Sequence, residues 1–441
     1  MAAAARPIVQ RVQTNIYRPF FLAGGFTVLT TGCLLGAFAL LGVSMNKSYT
    51  ASAWTPYVLA HANSQLFGWV CFFVMGFTLQ QHAPTVAKQK LFHQLAWWSL
   101  GLMSLGIIVR FIAEPMIHIS FQPWQTVGVV SCCLQTVSVA IFYWNVTMTR
   151  DKTNQKVVWQ TRYVFASIFW LAAIALAEPF IFAYSHQADP QTSVLFVANW
   201  FPVVREVQFL GFVAQMIFGV SLVKLHSCFG GLKPNEALGK AAFALWNIGL
   251  VVRCVGWLSS FNNGLAESSL SVFYLGGTIL AFGGFLVVLS VRIFEPWTEQ
   301  YRSHKFVRAA YAWLLIAGML LVLEPITLRT LGIPFSHAYT GAIRHAITVG
   351  FISQMILGFS LHVGARMNDL EERYLPALMS AFLLLNLGNA LRVFLEVATE
   401  FTQRAFSVMG ATGFIELIAL VIWASQMMSM LSGRIARRQH A

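Results

Sequence analysis

Charged side chains are scarce in this chain: Asp, Glu, Lys and Arg make up 10% of its 441 residues, whereas hydrophobic residues make up 57%. A soluble domain of this length needs a more polar surface, so the composition excludes that class and is typical of a protein that crosses a membrane many times. Acidic residues are the scarcest, and the formal net charge is +13. Because the basic residues fall between apolar stretches, we expect them to anchor loops at the lipid surface, and we expect no nucleic-acid partner.

Cysteine motifs are also missing. The six cysteines form neither Cys-x-x-Cys nor Cys-x-x-Cys-His, which argues against a disulfide framework, a zinc knuckle and covalently attached haem. The first apolar stretch is too long for a signal peptide and has no convincing cleavage pattern, so we expect a retained helix. No soluble electron-transfer domain is present, so a redox catalyst would need an external electron donor.

Apolar stretches of about 20 residues, the length that crosses a bilayer, predict an all-α integral membrane protein with twelve transmembrane helices. The predicted spans are roughly 19–43, 57–81, 94–117, 124–148, 162–184, 198–223, 239–260, 269–292, 308–331, 337–362, 374–398 and 405–430. If the N-terminus is cytoplasmic, most lysines and arginines fall on cytoplasmic segments. Since Lys and Arg resist translocation, both termini are predicted to be cytoplasmic.

Three motifs recur at intervals of about 140 residues, the sign of an internal repeat. Each occurs at one position in every group of four spans: two glycines eight residues apart, a Gly-x-x-x-Arg motif, and an arginine at a span's start. Their members are Gly68/Gly76, Gly211/Gly219 and Gly350/Gly358; Arg110, Arg253 and Arg392; and Arg18, Arg162 and Arg308. We infer one transmembrane domain over 1–441, built from three four-helix repeats near 14–155, 156–300 and 301–441 around a pseudo-threefold axis along the membrane normal. The paired glycines indicate close helix packing.

Ionisable residues concentrate at the outer, periplasmic ends of these helices. They are His61, Arg110, Glu114, Glu178, Arg205, Glu206, Arg253, Glu324, His337, Arg344, His345, Arg392 and Glu396. Charges at this depth are costly unless paired or hydrated, so each is a candidate functional residue. An arginine-rich pocket beside neutral histidines suits a flat, apolar ligand with two carboxylates, which describes haem. Arg110, Arg253, Arg344 and Arg392 are the predicted propionate partners.

Three outer histidines, His61, His337 and His345, are the candidate metal ligands. Imidazole binds haem iron and copper, so these residues leave both metals open. His61 lies seven residues before Gly68, and His345 lies five residues before the equivalent Gly350. If the two ideal helices are superposed on these glycines, the histidines point about 200° apart, which argues against one shared axis. Glu416, in the middle of the twelfth span, is expected to be protonated, paired or part of a proton path. The histidines expected to be solvated at the cytoplasmic side are His82, His93, His226, His304 and His362.

The chain resembles the NnrS family of bacterial twelve-span membrane proteins along nearly its whole length. The resemblance lies in Tyr-Arg-Pro-Phe-Phe-Leu at 17–22, His61 with Phe-Gly at 67–68, Gly-x-x-x-Arg at 106–110, and His345 with the glycine and methionine that follow it. It implies an inner-membrane protein with non-covalent haem b and copper, linked to nitric oxide metabolism, denitrification and nitrosative stress. It also implies cofactor roles for His61, His345, Arg18 and Arg110.

The chain departs from the family pattern in two places. His-Ala-Asn-Ser at 61–64 replaces the usual His-x-His-Glu, and the Gly-His-Thr-Gly-Arg tail of the tenth span is absent. The sequence therefore supports haem better than copper. The three four-helix units are distantly like the catalytic subunit of haem-copper oxidases, but the His-His and His-x-His patterns of those enzymes are missing. A protein that binds, senses or turns over nitric oxide or a related molecule is the first hypothesis; an anion transporter or channel and a haem-handling factor are the alternatives.

Overall fold

The computed structural model describes residues 15–49, 54–150 and 158–432. Within these ranges, twelve helices are long and apolar enough to cross a membrane, which confirms the predicted all-α membrane protein. They are α1 Tyr17–Asn46, α2 Thr55–Gln81, α3 Val86–Met116, α4 Phe121–Thr149, α5 Thr161–Ser185, α6 Pro190–Cys228, α7 Glu236–Asn262, α8 Glu267–Val291, α9 His304–Leu331, α10 His337–Met367, α11 Met379–Ala398 and α12 Arg404–Leu431. The predicted repeat boundaries at 14, 155 and 441 fall outside the described residues.

The helix α6 extends well beyond its predicted span, beginning at Pro190 rather than near residue 198. The Asp189 carboxylate caps the helix by accepting hydrogen bonds from the backbone N–H groups of Gln191 at 3.3 Å and Thr192 at 3.0 Å. Proline suits this first turn because its missing N–H would have no partner there. The helix therefore starts in polar sequence about two turns before the apolar stretch, where hydropathy gives no signal.

The helices pack in the order of the chain, and the last helix returns to the first. The most extensive contacts join α7 to α8, α3 to α4 and α1 to α2. The fourth helix of each predicted unit packs on the first helix of the next: α4 on α5, α8 on α9, and α12 on α1. The first and third units therefore meet at a junction made by α1, α11 and α12. The repeat itself and the likeness to oxidases stay predictions.

The paired glycines lie where the second helix of each unit crosses the first. A Cβ atom built on the first glycine of each pair would come within less than 3.0 Å of a side chain on the neighbouring helix. The contacts are Gly68 with Thr27, Gly211 with Trp170 and Gly350 with Trp313. Small residues at these points let the helices approach closely, as the sequence predicts.

Among the described residues, four helices contain π-helical segments. Three of these contain the first glycine of a pair: Ser64–Val70 in α2, Val207–Ala214 in α6 and Ala346–Ser353 in α10. The fourth is Val28–Gly32 in α1. A π segment interrupts the regular hydrogen-bond ladder, and such interruptions occur often at functional sites. In α1, the backbone of Gly32 leaves helical geometry, with φ −79° and ψ −106°, and its carbonyl is available to another helix.

Two of the five histidines that were expected to be solvated at the cytoplasmic side are buried. His362 is 1% exposed and His304 is 9% exposed. The His362 ring stacks on Phe229 at 3.9 Å, and its Nδ1 atom lies 2.7 Å from Oε2 of Glu372. The prediction that all five histidines here are solvated is therefore wrong for these two. The segment after α10 places a carboxylate against them, and the segments after α6 and α8 place aromatic rings there, which hydropathy does not register.

Candidate functional site at the outer end of the bundle

Three buried arginines, Arg110, Arg253 and Arg392, stand at corresponding positions of α3, α7 and α11 and are no more than 8% exposed. Arg110 has two carboxylate partners: its Nε lies 2.9 Å from Glu114, one turn along α3, and its Nη1 lies 2.8 Å from Glu178 on α5. A charge at this depth would cost several kcal/mol if it were unpaired. Arg110 is therefore neutralised within the protein.

Arg253 is paired in the same way, but both of its partners come from other helices. Its Nε lies 3.2 Å from Glu206 on α6, and its Nη1 lies 3.0 Å from Glu324 on α9. The guanidinium also lies 3.9 Å from the centroid of the Phe273 ring, a favourable cation–π distance. This pairing joins the second predicted unit to the third.

Arg392 is paired less completely. Its Nη2 lies 2.9 Å from Oε1 of Glu396, while its Nε and Nη1 atoms are buried and have no hydrogen-bond partner among the described residues. The other oxygen of Glu396 lies 3.0 Å from Nδ1 of His345. The one carboxylate that pairs with Arg392 is therefore shared.

His61 on α2 is oriented by the backbone of α1. Its Nδ1 atom lies 2.7 Å from the carbonyl oxygen of Gly32, so Nδ1 carries the proton and donates it. The ring lies so close to α1 that a Cβ built on Gly36 would be 2.5 Å from the ring's Cε1 atom. With Nδ1 protonated, the Nε2 lone pair is free to bind a metal, an arrangement that metal-binding histidines commonly show.

His345 on α10 is oriented by α11. Its Nδ1 lies 2.9 Å from the carbonyl oxygen of Gly341 and 3.0 Å from Glu396, and its side chain is 30% exposed. A carboxylate at Nδ1 fixes the ring and makes Nε2 a better ligand. His345 and His61 therefore both direct Nδ1 at the protein and leave Nε2 without a hydrogen bond to any described residue.

The two rings come from different predicted units but lie beside helices that share a neighbour. His61 contacts α1 and His345 contacts α11, and both of these helices pack on α12. The two rings are also close enough to interact electrostatically. The expectation that the two rings point about 200° apart on superposed helices stays a prediction.

Two further arginines add positive charge near the rings. Arg205 on α6 and Arg344 on α10 are half-buried and lie within electrostatic range of each other, and Arg205 is also within range of His61. The Arg205 Nη1 donates a hydrogen bond to Gln208 at 2.6 Å. The Arg344 side chain forms no hydrogen bond or ion pair with any described residue, although three glutamates lie within its electrostatic range. An anionic ligand would supply hydrogen-bond acceptors for the Arg344 guanidinium.

A comparison with known families assigns the chain on its sequence. The family model described as NnrS protein matches residues 15–434. The chain belongs to the NnrS family. No curated protein matches it. The match confirms the resemblance along nearly the whole chain, and it fits a membrane protein related to nitric oxide.

The layer of ionisable residues in this NnrS protein contains polar contacts that the sequence did not predict. His186, just after α5, places its Nε2 atom 3.2 Å from Glu114. Asn63 on α2 and Gln135 on α4 exchange two amide hydrogen bonds of 3.0 Å. The sequence signal for the arginine partners is Glu-Pro, which recurs within the helices at 114–115, 178–179 and 324–325, and all three glutamates prove to pair with an arginine.

Two predicted residues lie away from the two rings, and a third, Glu416, lies within electrostatic range of His345. His337 stands at the exposed start of α10, about 12 Å along the helix axis from His345. Arg18 lies at the opposite end of α1, where it donates a hydrogen bond of 2.7 Å to Asn368. Glu416 is 7% exposed and forms no ion pair within the described chain. The roles predicted for His337 and Arg18 stay predictions, and the proposals below do not use them.

The described residues contain no group of three or more His, Cys, Asp and Glu side chains placed to hold a metal ion. A copper site of that kind has no donor set in this part of the NnrS chain. Haem iron needs only one or two protein ligands, because the macrocycle supplies the other four. The two histidines at the junction of α1, α11 and α12 suit that requirement.

Proposed function

We propose that this NnrS protein binds haem b non-covalently at the outer junction of α1, α11 and α12. There it would bind, sense or turn over nitric oxide or a related nitrogen oxide and so protect against nitrosative stress. One observation carries the proposal: His61 lies against α1 and His345 against α11, two helices that pack on α12, and each ring has Nδ1 held by the protein and Nε2 free. Family membership supports the link to nitric oxide.

The residues at the junction fit haem in three respects. Either imidazole Nε2 could bind the iron, and the second histidine would face or flank it. Arg344, Arg205 and the unpaired donors of Arg392 would hold propionates. The surrounding spans are apolar, as the macrocycle requires. Bound haem would supply an iron atom that takes up a diatomic ligand, while the protein fixes the histidine tautomers and balances the propionate charge.

The position of the site suits a small uncharged ligand. Nitric oxide partitions into lipid, so it could reach the junction from the bilayer without a polar channel. The described chain is one bundle of membrane helices, so a turnover reaction would draw electrons from an external donor. We place the protein in the bacterial inner membrane with both termini in the cytoplasm, on the charge distribution of the loops.

An absorption spectrum of the detergent-purified protein tests the proposal. We expect a Soret band in the wild type, and its loss or shift in His61→Ala and His345→Ala, because each change removes a candidate iron ligand. His226→Ala is the matched control, since this histidine is exposed at the opposite end of the bundle. A colourless wild type after haem supplementation would exclude the proposal. Haem that an acceptor protein readily extracts would favour the haem-handling alternative.

A further inference from the structure

Two of the three buried arginines receive a carboxylate from the first helix of the following unit. Glu178 of α5 pairs with Arg110, and Glu324 of α9 pairs with Arg253. For Arg392, the corresponding helix is α1, because α12 packs on α1. The segment Tyr17–Asn46 contains no Asp or Glu. The charge pairing that links the other units is therefore missing at this junction.

The missing carboxylate leaves Arg392 short of acceptors. It is 8% exposed, and its Nε and Nη1 atoms have no partner among the described residues. Its one ion pair is with Glu396, which also binds His345. Glu416 lies within electrostatic range of Arg392 but forms no ion pair with it. Buried, unpartnered donors on a charged group are costly, so a ligand that accepts from them would bind favourably.

We propose that the junction of α1, α11 and α12 is the protein's intramembrane anion site and that Arg392 binds a small planar anionic group there. The chemistry is that of a carboxylate or a nitrogen oxyanion, which accepts charge-assisted hydrogen bonds from a guanidinium. The group belongs either to a bound cofactor or to a free anion. The first source rests on the proposed function; the second does not.

The two sources are distinguished by two binding measurements on the full chain. The first compares haem with its dimethyl ester, in which both carboxylates are blocked. We expect the wild type to prefer haem by about tenfold or more, the value of one charge-assisted hydrogen bond, if a propionate occupies the site. The second measures the rise in unfolding temperature that formate causes in haem-free protein at constant ionic strength, which detects a free planar anion.

Arg392→Gln should abolish whichever preference the wild type shows. Arg392→Lys should also abolish the preference, because lysine keeps the charge but has no Nε–H or Nη1–H. If Arg392→Gln does not fold, the binding measurements on Arg392→Lys test the anion site. Arg329→Gln is the control, since that arginine is 71% exposed in a surface ion pair. If the Lys variant keeps the wild-type response in both measurements, or if the wild type shows neither, the anion site is refuted. If haem does not bind but formate stabilises only the wild type and the control, the proposed function fails and the anion site stands.

Discussion

The ion pair between Arg253 and Glu324 should contribute strongly to stability, and Glu324→Gln tests this. Arg253 is 1% exposed and Glu324 is fully buried, with 3.0 Å between Nη1 and Oε2. Removing one partner of a buried pair costs about 3–5 kcal/mol in general. Here Glu206 remains 3.2 Å from Nε, so we expect a smaller loss in the free energy of unfolding, about 2–3 kcal/mol.

The assay is reversible unfolding of the purified protein in mixed detergent micelles, followed by circular dichroism. Glu267→Gln is the matched control, because Glu267 forms an ion pair of 3.2 Å with Arg329 but is 82% exposed, where screening removes most of the attraction. The reasoning would be refuted if Glu324→Gln and Glu267→Gln had the same effect. That result would show that Glu324 is already uncharged in the folded protein and that Glu206 alone neutralises Arg253.

Two further predictions concern packing and pH. Gly350→Ala should destabilise the fold by about 1–3 kcal/mol, because its new methyl group would overlap Trp313. Gly101→Ala is the control and should not destabilise the fold, because its methyl group would meet open space. Thermal unfolding of both variants measures the difference. Although burial raises the pKa of the Glu372 carboxyl, the hydrogen bond with His362 contributes to a net pKa below the usual 4.5. The stabilising effect of the Glu372 carboxylate should therefore be complete at neutral pH and be lost as the pH falls below 4.5. In the wild type, the unfolding temperature should fall between pH 6 and pH 3, about the interval in which carboxylates titrate. Glu372→Gln should make this fall smaller.

The helices could be predicted from the sequence because each is a continuous apolar segment whose length the bilayer sets. The start of α6 could not, since it depends on a single capping carboxylate, Asp189, in polar sequence. The burial of His362 was missed for a similar reason: its partner Glu372 lies in a loop, and loops carry no periodic signal.

The candidate site was predictable in its residues but not in its pairing. Hydropathy and repetition identified Arg110, Arg253 and Arg392 as three members of one layer. Which glutamate reaches which arginine depends on how helices far apart in sequence pack, as with Arg110 and Glu178. Arg392 has fewer carboxylate partners than Arg110 and Arg253 because α12 packs on α1, which offers no carboxylate. The repeated Gly-x-x-x-Arg motif is the same in all three units and does not show this difference.

Nitric oxide binding to the purified, haem-supplemented protein tests the central claim most directly. The account predicts a Soret band that shifts when nitric oxide is added to the reduced wild type. It predicts that the shift is lost or altered in His61→Ala and His345→Ala and is unchanged in His226→Ala. A wild type that takes up no haem, or a haem band that does not respond to nitric oxide, would contradict the account.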